Sequence, residues 1–156
     1  MDEKAKKVLD RLERQCARME YCSADIRRKA LKALEGDSDA ASEVVDSLLR
    51  DGYVDDLRYA SAFAREKASL QGWGAVKIRF MLSGKGISRP DIDAALGEIE
   101  PEKAEARLSR LAAEKYRLLK DDPECRLKML KFILGRGYSY DEAASAVEAA
   151  MRGDMQ

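Results

Sequence analysis

Apolar residues return at intervals of three and four along almost the whole chain, the spacing that one buried stripe of an α-helix demands. Near the start, Val8, Leu12, Gln15 and Met19 fall on one such stripe, and Ala104, Leu108, Leu111 and Leu118 repeat it in the second half. Helices are predicted at roughly 4–20, 24–35, 39–51, 56–70, 75–84, 89–98, 102–119, 123–135 and 140–152. Runs of β-branched residues are absent, and Ala, Leu, Arg, Lys and Glu, all good helix formers, dominate. The fold class is therefore all-α.

The breaks between helices carry more information than the helices. "GISRPD" begins at Gly86 and "GYSYDE" at Gly137: a glycine, a bulky apolar residue, a serine, two variable residues and an acid. Gly86 and Gly137 can take the left-handed conformation that ends a helix. Ser88 and Ser139 stand where they can cap the next helix, with Asp91 and Glu142 as reciprocal partners. Ile87 and Ile92 have the spacing of a hydrophobic staple, repeated by Tyr138 and Ala143, and Pro90 falls in a first turn, where its missing N–H costs little.

Ile78, Met81 and Leu82 lie within one face of their helix and are expected in the core. Aligning the two glycines superposes Ile78 on Met129, Leu82 on Ile133 and Leu96 on Val147. A poorer third copy lies upstream, with Ile26-Arg27 matching Ile78-Arg79, Gly36 near a helix end and "ASEVVDSLL" as the following helix. The period of about 50 residues predicts a tandem array of three three-helix repeats, 4–51, 56–98 and 102–152, within a single domain 1–156.

Composition narrows the chemistry. With 29 basic and 29 acidic residues the formal charge is zero, and 37% of residues are charged against 46% hydrophobic. That mixture suits amphipathic helices with solvated outer faces. There is no histidine, and the three cysteines, Cys16, Cys22 and Cys125, have no paired-motif spacing, so the thiols read as reduced and neither a metal nor a cofactor is expected. A serine or cysteine nucleophile would lack its usual base, and no "GxxxxGK" or "GxGxxG" fingerprint is present, so the chain reads as non-enzymatic. No apolar run reaches membrane-spanning length and the start, "MDEKAKKVLDRLERQ", is too charged for a secretory signal, which makes the cytoplasm the default.

The link between the first two helix sets is "LLRDGYVDDLRYASAFAREK", residues 48–67. Gly52 stops one helix, Tyr53 plugs the corner, and Asp55 or Asp56 caps the next; capping explains the paired acids better than a metal or acid–base site. The glycine-aromatic-x-Asp-Asp-x-Arg-aromatic-Ala segment, followed by "WGAVKIRFMLSGKGIS", resembles the RecX family of bacterial RecA regulators. "CSADIRRKAL" and "CRLKMLKFILGRGYSYDEAASAV" are similar to it too, so the likeness runs from about residue 10 to 150. The tryptophan-glycine pair and the cysteine before the second helix resemble the version in Bacteroides relatives. The resemblance implies three tandem three-helix repeats in an elongated, curved, solenoid-like array with helices at right angles. It also implies a monomer that binds the RecA filament, meets single-stranded DNA through it, and restrains ATP hydrolysis, strand exchange and co-protease activity in DNA repair and the SOS response. A stand-alone helical DNA-binding module, or an adaptor independent of RecA, is the alternative.

Residues 67–90 hold Lys67, Lys77, Arg79, Lys85 and Arg89, no acid, and the only tryptophan, Trp73. Lys77 and Arg79 point about 200° apart on a helix, so each needs neighbours from elsewhere, Lys77 with Lys67 and Arg79 with Arg27 or Arg89. The second helices of the other sets are basic too, through Arg27, Arg28 and Lys29, then Arg126, Lys128 and Lys131, with Arg136 beyond. In a repeat array these helices would line one cationic surface, with the acidic third helices elsewhere. Trp73, between Gly72 and Gly74, could stack on a base, fill a partner pocket or simply pack, and the flanking glycines could offer N–H groups to an anion.

Overall fold

The computed structural model describes residues 1–155. Among them the chain forms nine α-helices and no strand, with bounds within three residues of those expected from periodicity. The helices fall into two compact units, residues 1–62 with 82–92, and residues 63–81 with 93–156.

Unit 1 is built on α1 (Glu3–Arg18), α2 (Ser23–Ala33) and α3 (Ser38–Arg50), each packed on the other two. Asp2 and Asp37 start α1 and α3 by accepting from Ala5 N at 2.8 Å and Ala40 N at 3.1 Å. Val8, Leu12, Ile26, Ala30, Val44 and Leu48 fill the core. Unit 2 is built on α7 (Pro101–Leu119), α8 (Cys125–Gly135) and α9 (Tyr140–Met155), around Leu108, Ala112, Met129, Ile133, Ala143 and Val147. Between these sets, α4 (Asp56–Gln71), α5 (Ala75–Gly84) and α6 (Arg89–Gly97) each give one part to each unit.

Two of the equivalences read from the sequence recur as burial, since Ile26, Ile78 and Met129 are fully buried, as are Leu82 and Ile133; the third does not, because Val147 is buried and Leu96 only half-buried. Gly36, Gly86 and Gly137 all have left-handed backbone, at φ +86°, +78° and +96°. Ser139 and Glu142 form both halves of a capping box, Glu142 N donating to Ser139 Oγ at 3.1 Å and Ser139 N to Glu142 Oε1 at 2.9 Å. Ser88 Oγ accepts from Asp91 N at 3.3 Å, and Ile87 and Ile92 are buried as a staple requires.

Three expected core positions are exposed instead. Met19 is 58% exposed because α1 ends at Arg18 and Met19 is its extended C-cap residue; Cys16 takes the buried place. Leu118 is 77% exposed while Ala112 carries the stripe in α7, and Met81 is 39% exposed beside the buried Leu82. All three cysteines are buried free thiols. Among the described residues no helix is long and apolar enough to cross a membrane.

Candidate functional site

The paired aspartates of the central motif divide their labour within unit 1. Asp55 caps α4, its Oδ1 accepting from Arg58 N at 3.0 Å. Asp56 instead reaches back to the start of α2, accepting from Ser23 N and Ser23 Oγ, both at 2.7 Å. Arg58 closes the corner by donating to Glu20 Oε1 at 2.7 Å and to the carbonyls of Gly52 and Tyr53 at 3.1 and 3.3 Å. Burial raises the Tyr59 phenol and the neighbouring Cys22 thiol above their usual ranges, so both stay neutral. Glycine, acids and arginine of this motif therefore brace the corner of unit 1.

The second half of the signature does a different job. In unit 2 the residues before α5 meet the turn after α8 so closely that side chains are excluded from both. A Cβ on Gly74 would lie 2.5 Å from Gly137 O, and one on Gly137 would lie 2.1 Å from Lys77 Cβ. Gly74 N donates to Arg136 O at 2.8 Å, and Val76 N and Lys77 N donate to Gly137 O at 2.9 and 3.4 Å. The amide groups of Gly74, Val76 and Lys77 are thus already taken by carbonyls and are not open to an anion. Arg136 Nη1 donates to Gln71 O at 2.9 Å and Tyr138 Oη to Gly72 O at 3.2 Å, tying the same turn to the end of α4.

This junction fixes Trp73. Its half-buried ring meets Phe63 edge-on, with centroids 6.1 Å apart and planes at 71°. Lys67 Nζ lies 5.1 Å and Lys77 Nζ 4.3 Å from the ring centroid, so the expected partnership of these two lysines is realised across an aromatic plate. Lys67 also lies 5.5 Å from the Phe63 ring.

Half of the other basic candidates are answered by acids. Arg79 donates to Asp93 at 2.7 Å, Lys85 to Asp25 at 3.0 Å and Lys128 to Asp122 at 2.6 Å. Arg28 pairs with Asp25 and Arg126 with Glu148, while Arg27 donates to Ser42 Oγ at 3.2 Å. In three places a second-helix arginine thus bonds to the third helix of its set: Arg27 to Ser42, Arg79 to Asp93 and Arg126 to Glu148. The expected separation of cationic second helices from acidic third helices is corrected accordingly, and Arg79 needs no other arginine beside it. Exposed pairs like these are worth about 0–1 kcal/mol each, but they cancel charge locally. Lys29 sits 5.2 Å from the Tyr21 ring, Arg136 5.3 Å from that of Phe132, and neither Arg89 nor Lys131 has an ion-pair partner among the described residues.

Comparison with known proteins places this geometry. Residues 55–96 match the family model of the RecX second three-helix domain. The regulatory protein RecX of Vibrio campbellii is 36% identical over 118 residues, 74% of each chain. That of Pseudomonas putida is 32% identical over 127 residues, 80% of this chain and 79% of the relative. The chain belongs to the RecX family. It spans just over half the length of the clostridial RecX proteins it matches, for example 57% of that from Clostridium botulinum strain Eklund 17B at 30% identity. The fold agrees with two crystal structures: one of regulatory protein RecX at TM-score 0.82 and 24% identity, covering 96% of this chain and 72% of that one, and one of RecX from Lactobacillus salivarius at 0.81 and 19%, covering 96% and 98%.

Two exposed features of this RecX family member escape a sequence reading centred on second-helix charge. Phe80 is 75% exposed and Val76, one turn earlier on α5, is 55% exposed. The signal was present, since Phe80 lies about 200° around the helix from the buried Ile78. The other is a group of arginines on α7, a first helix, where no basic run marks them.

Proposed function

We propose that this chain is a non-enzymatic regulator that binds RecA nucleoprotein filaments and restrains RecA's ATPase, strand-exchange and co-protease activities, as a monomer in the cytoplasm. The observation that carries this reading is family membership, since the matched relatives bear the name regulatory protein RecX. Three tandem three-helix repeats are the organisation we infer, supported by the shared burial of Ile26, Ile78 and Met129 and the shared left-handed glycines.

Within unit 2 the Lys67–Trp73–Lys77 plate is the contact we favour for the filament. Its two ammonium groups have no carboxylate partner among the described residues, and the ring between them is rigidly held, so little ordering entropy is lost on docking. Arg79, Arg126 and Lys128 serve less well because Asp93, Glu148 and Asp122 already answer them. Of the remaining basic candidates, Lys131 and Arg136 in unit 2 and Lys29 and Arg89 in unit 1 keep charge available to an acidic protein surface or a phosphate backbone. RecA-dependent ATP hydrolysis on single-stranded DNA, titrated with this protein, tests the reading. It should fall at sub-stoichiometric to equimolar ratios, and an unchanged rate throughout that range would sink it.

A further inference from the structure

Unit 2 contains a cleft of about 510 Å³ lined by Arg107, Arg110, Leu111 and Glu114 of α7, by Leu70 at the end of α4 and by Arg136 from the turn after α8. Elsewhere in this unit Arg79, Lys103, Arg126 and Lys128 have a carboxylate within 4 Å, whereas Lys67, Lys77 and Lys131 have none among the described residues. In the cleft none of the three guanidinium groups has one among the described residues. Glu114 is the one acid in the lining, so three positive charges against one negative leave +2 in a concave site. Such a wall concentrates potential more than the same charges would on a flat surface.

Arg136 is also preorganised. Its Nη1 is committed to Gln71 O at 2.9 Å and its guanidinium is stacked 5.3 Å from Phe132, which leaves further N–H donors on a fixed plane. Leu70, 78% exposed, and Leu111 give the cleft an apolar wall beside its charges. The volume lies within the range of sites that take small ligands.

We propose that this cleft binds a phosphate monoester, with the phosphate on Arg107, Arg110 and Arg136 and the attached nucleoside against Leu70 and Leu111. A carboxylate would bring a single negative charge, whereas a monoester carries about −1.5 to −2 near neutral pH, which matches the +2 of the lining, and its oxygens suit forked donors. The source can be a free nucleotide or the 5′-phosphorylated end of a nucleic-acid strand, since both present the same group.

The test uses the whole chain without RecA, so its outcome is independent of the filament reading. Fluorescence anisotropy compares a labelled single-stranded oligonucleotide bearing a 5′-phosphate with the same strand bearing a 5′-hydroxyl, and nucleoside monophosphate and inorganic phosphate serve as competitors. The phosphorylated strand should bind more tightly, or the nucleotide should compete. R107A/R110A should weaken that binding by about tenfold or more, the loss expected for charge-assisted hydrogen bonds, and E114Q should tighten it. R107K/R110K, which keeps charge but loses the fork, should fall between, and melting curves confirm that each variant folds. A preference for the phosphorylated strand identifies a strand end as the source, and competition by nucleotide without that preference identifies a free nucleotide. Equal binding of both strands with no competition, or undiminished phosphate-dependent binding by folded R107A/R110A, would overturn the proposal.

Discussion

Replacing Gly137 with alanine should destabilise unit 2 far more than the same change at Gly72. Both glycines have left-handed backbone, at φ +96° and +68°, and both lie in unit 2. At each, a Cβ costs about 1–2 kcal/mol for that conformation, offset by about 0.4–1 kcal/mol from the stiffer unfolded chain. The positions differ in what the new methyl meets. At Gly72 it would lie 3.3 Å from Leu111 Cδ1, the tip of a side chain that can swing. At Gly137 it would lie 2.1 Å from Lys77 Cβ and 2.8 Å from Lys77 N, so the start of α5 itself must move, at a further cost of about 1–3 kcal/mol. The net expectation is about 1 kcal/mol or less for G72A and about 2–4 kcal/mol for G137A. At about 2–4 °C per kcal/mol for a chain of this size, G137A should lower Tm by about 5–15 °C and G72A by a few degrees at most. Thermal unfolding followed by Trp73 fluorescence reads this unit directly. Equal shifts for the two variants would show that the close approach of α5 to Gly137 contributes nothing to stability.

Two other perturbations bear on the same framework. D56A should cost about 1–2 kcal/mol, because Ser23 loses both its backbone and hydroxyl acceptor, and D55A a similar amount through the α4 cap; denaturant titration that finds D56A neutral would contradict the division of labour between the paired acids. Stability should be flat from about pH 6 to 8, since the chain has no histidine. It should then decline above about pH 9, because burial raises the Cys16, Cys22 and Cys125 thiols and the Tyr59 and Tyr138 phenols, the unfolded chain ionises first, and the advantage of the neutral buried form is lost as pH rises through the folded values. Urea midpoints that stay constant to pH 10.5 would contradict that assignment.

Helix positions, glycine stops and serine caps were legible in the sequence because each rests on local physics within a few residues. The close approach of Gly74 to Gly137 was not, since it joins residues 63 positions apart and a glycine's sequence context does not say what passes over it. The pairing of Lys67 with Lys77 could be guessed from their flanking of Trp73, whereas the acids that neutralise Arg79 and Arg126 come from neighbouring helices and follow only from packing. Basic residues counted by helix thus overstated the cationic surface and overlooked Arg107 and Arg110, whose neighbours on α7 include Glu105 and Glu114. Met19, Met81 and Leu118 show the limit of stripe counting, because an apolar residue near the end of a stripe is free to face outward.

The most direct test of the account compares the wild type with K67E/K77E in RecA-dependent ATP hydrolysis on single-stranded DNA, after matched melting curves. The wild type should inhibit at or below equimolar ratio and the reversed-charge variant should lose most of that inhibition. Equal inhibition by both proteins would remove the Lys67–Trp73–Lys77 plate from the interface.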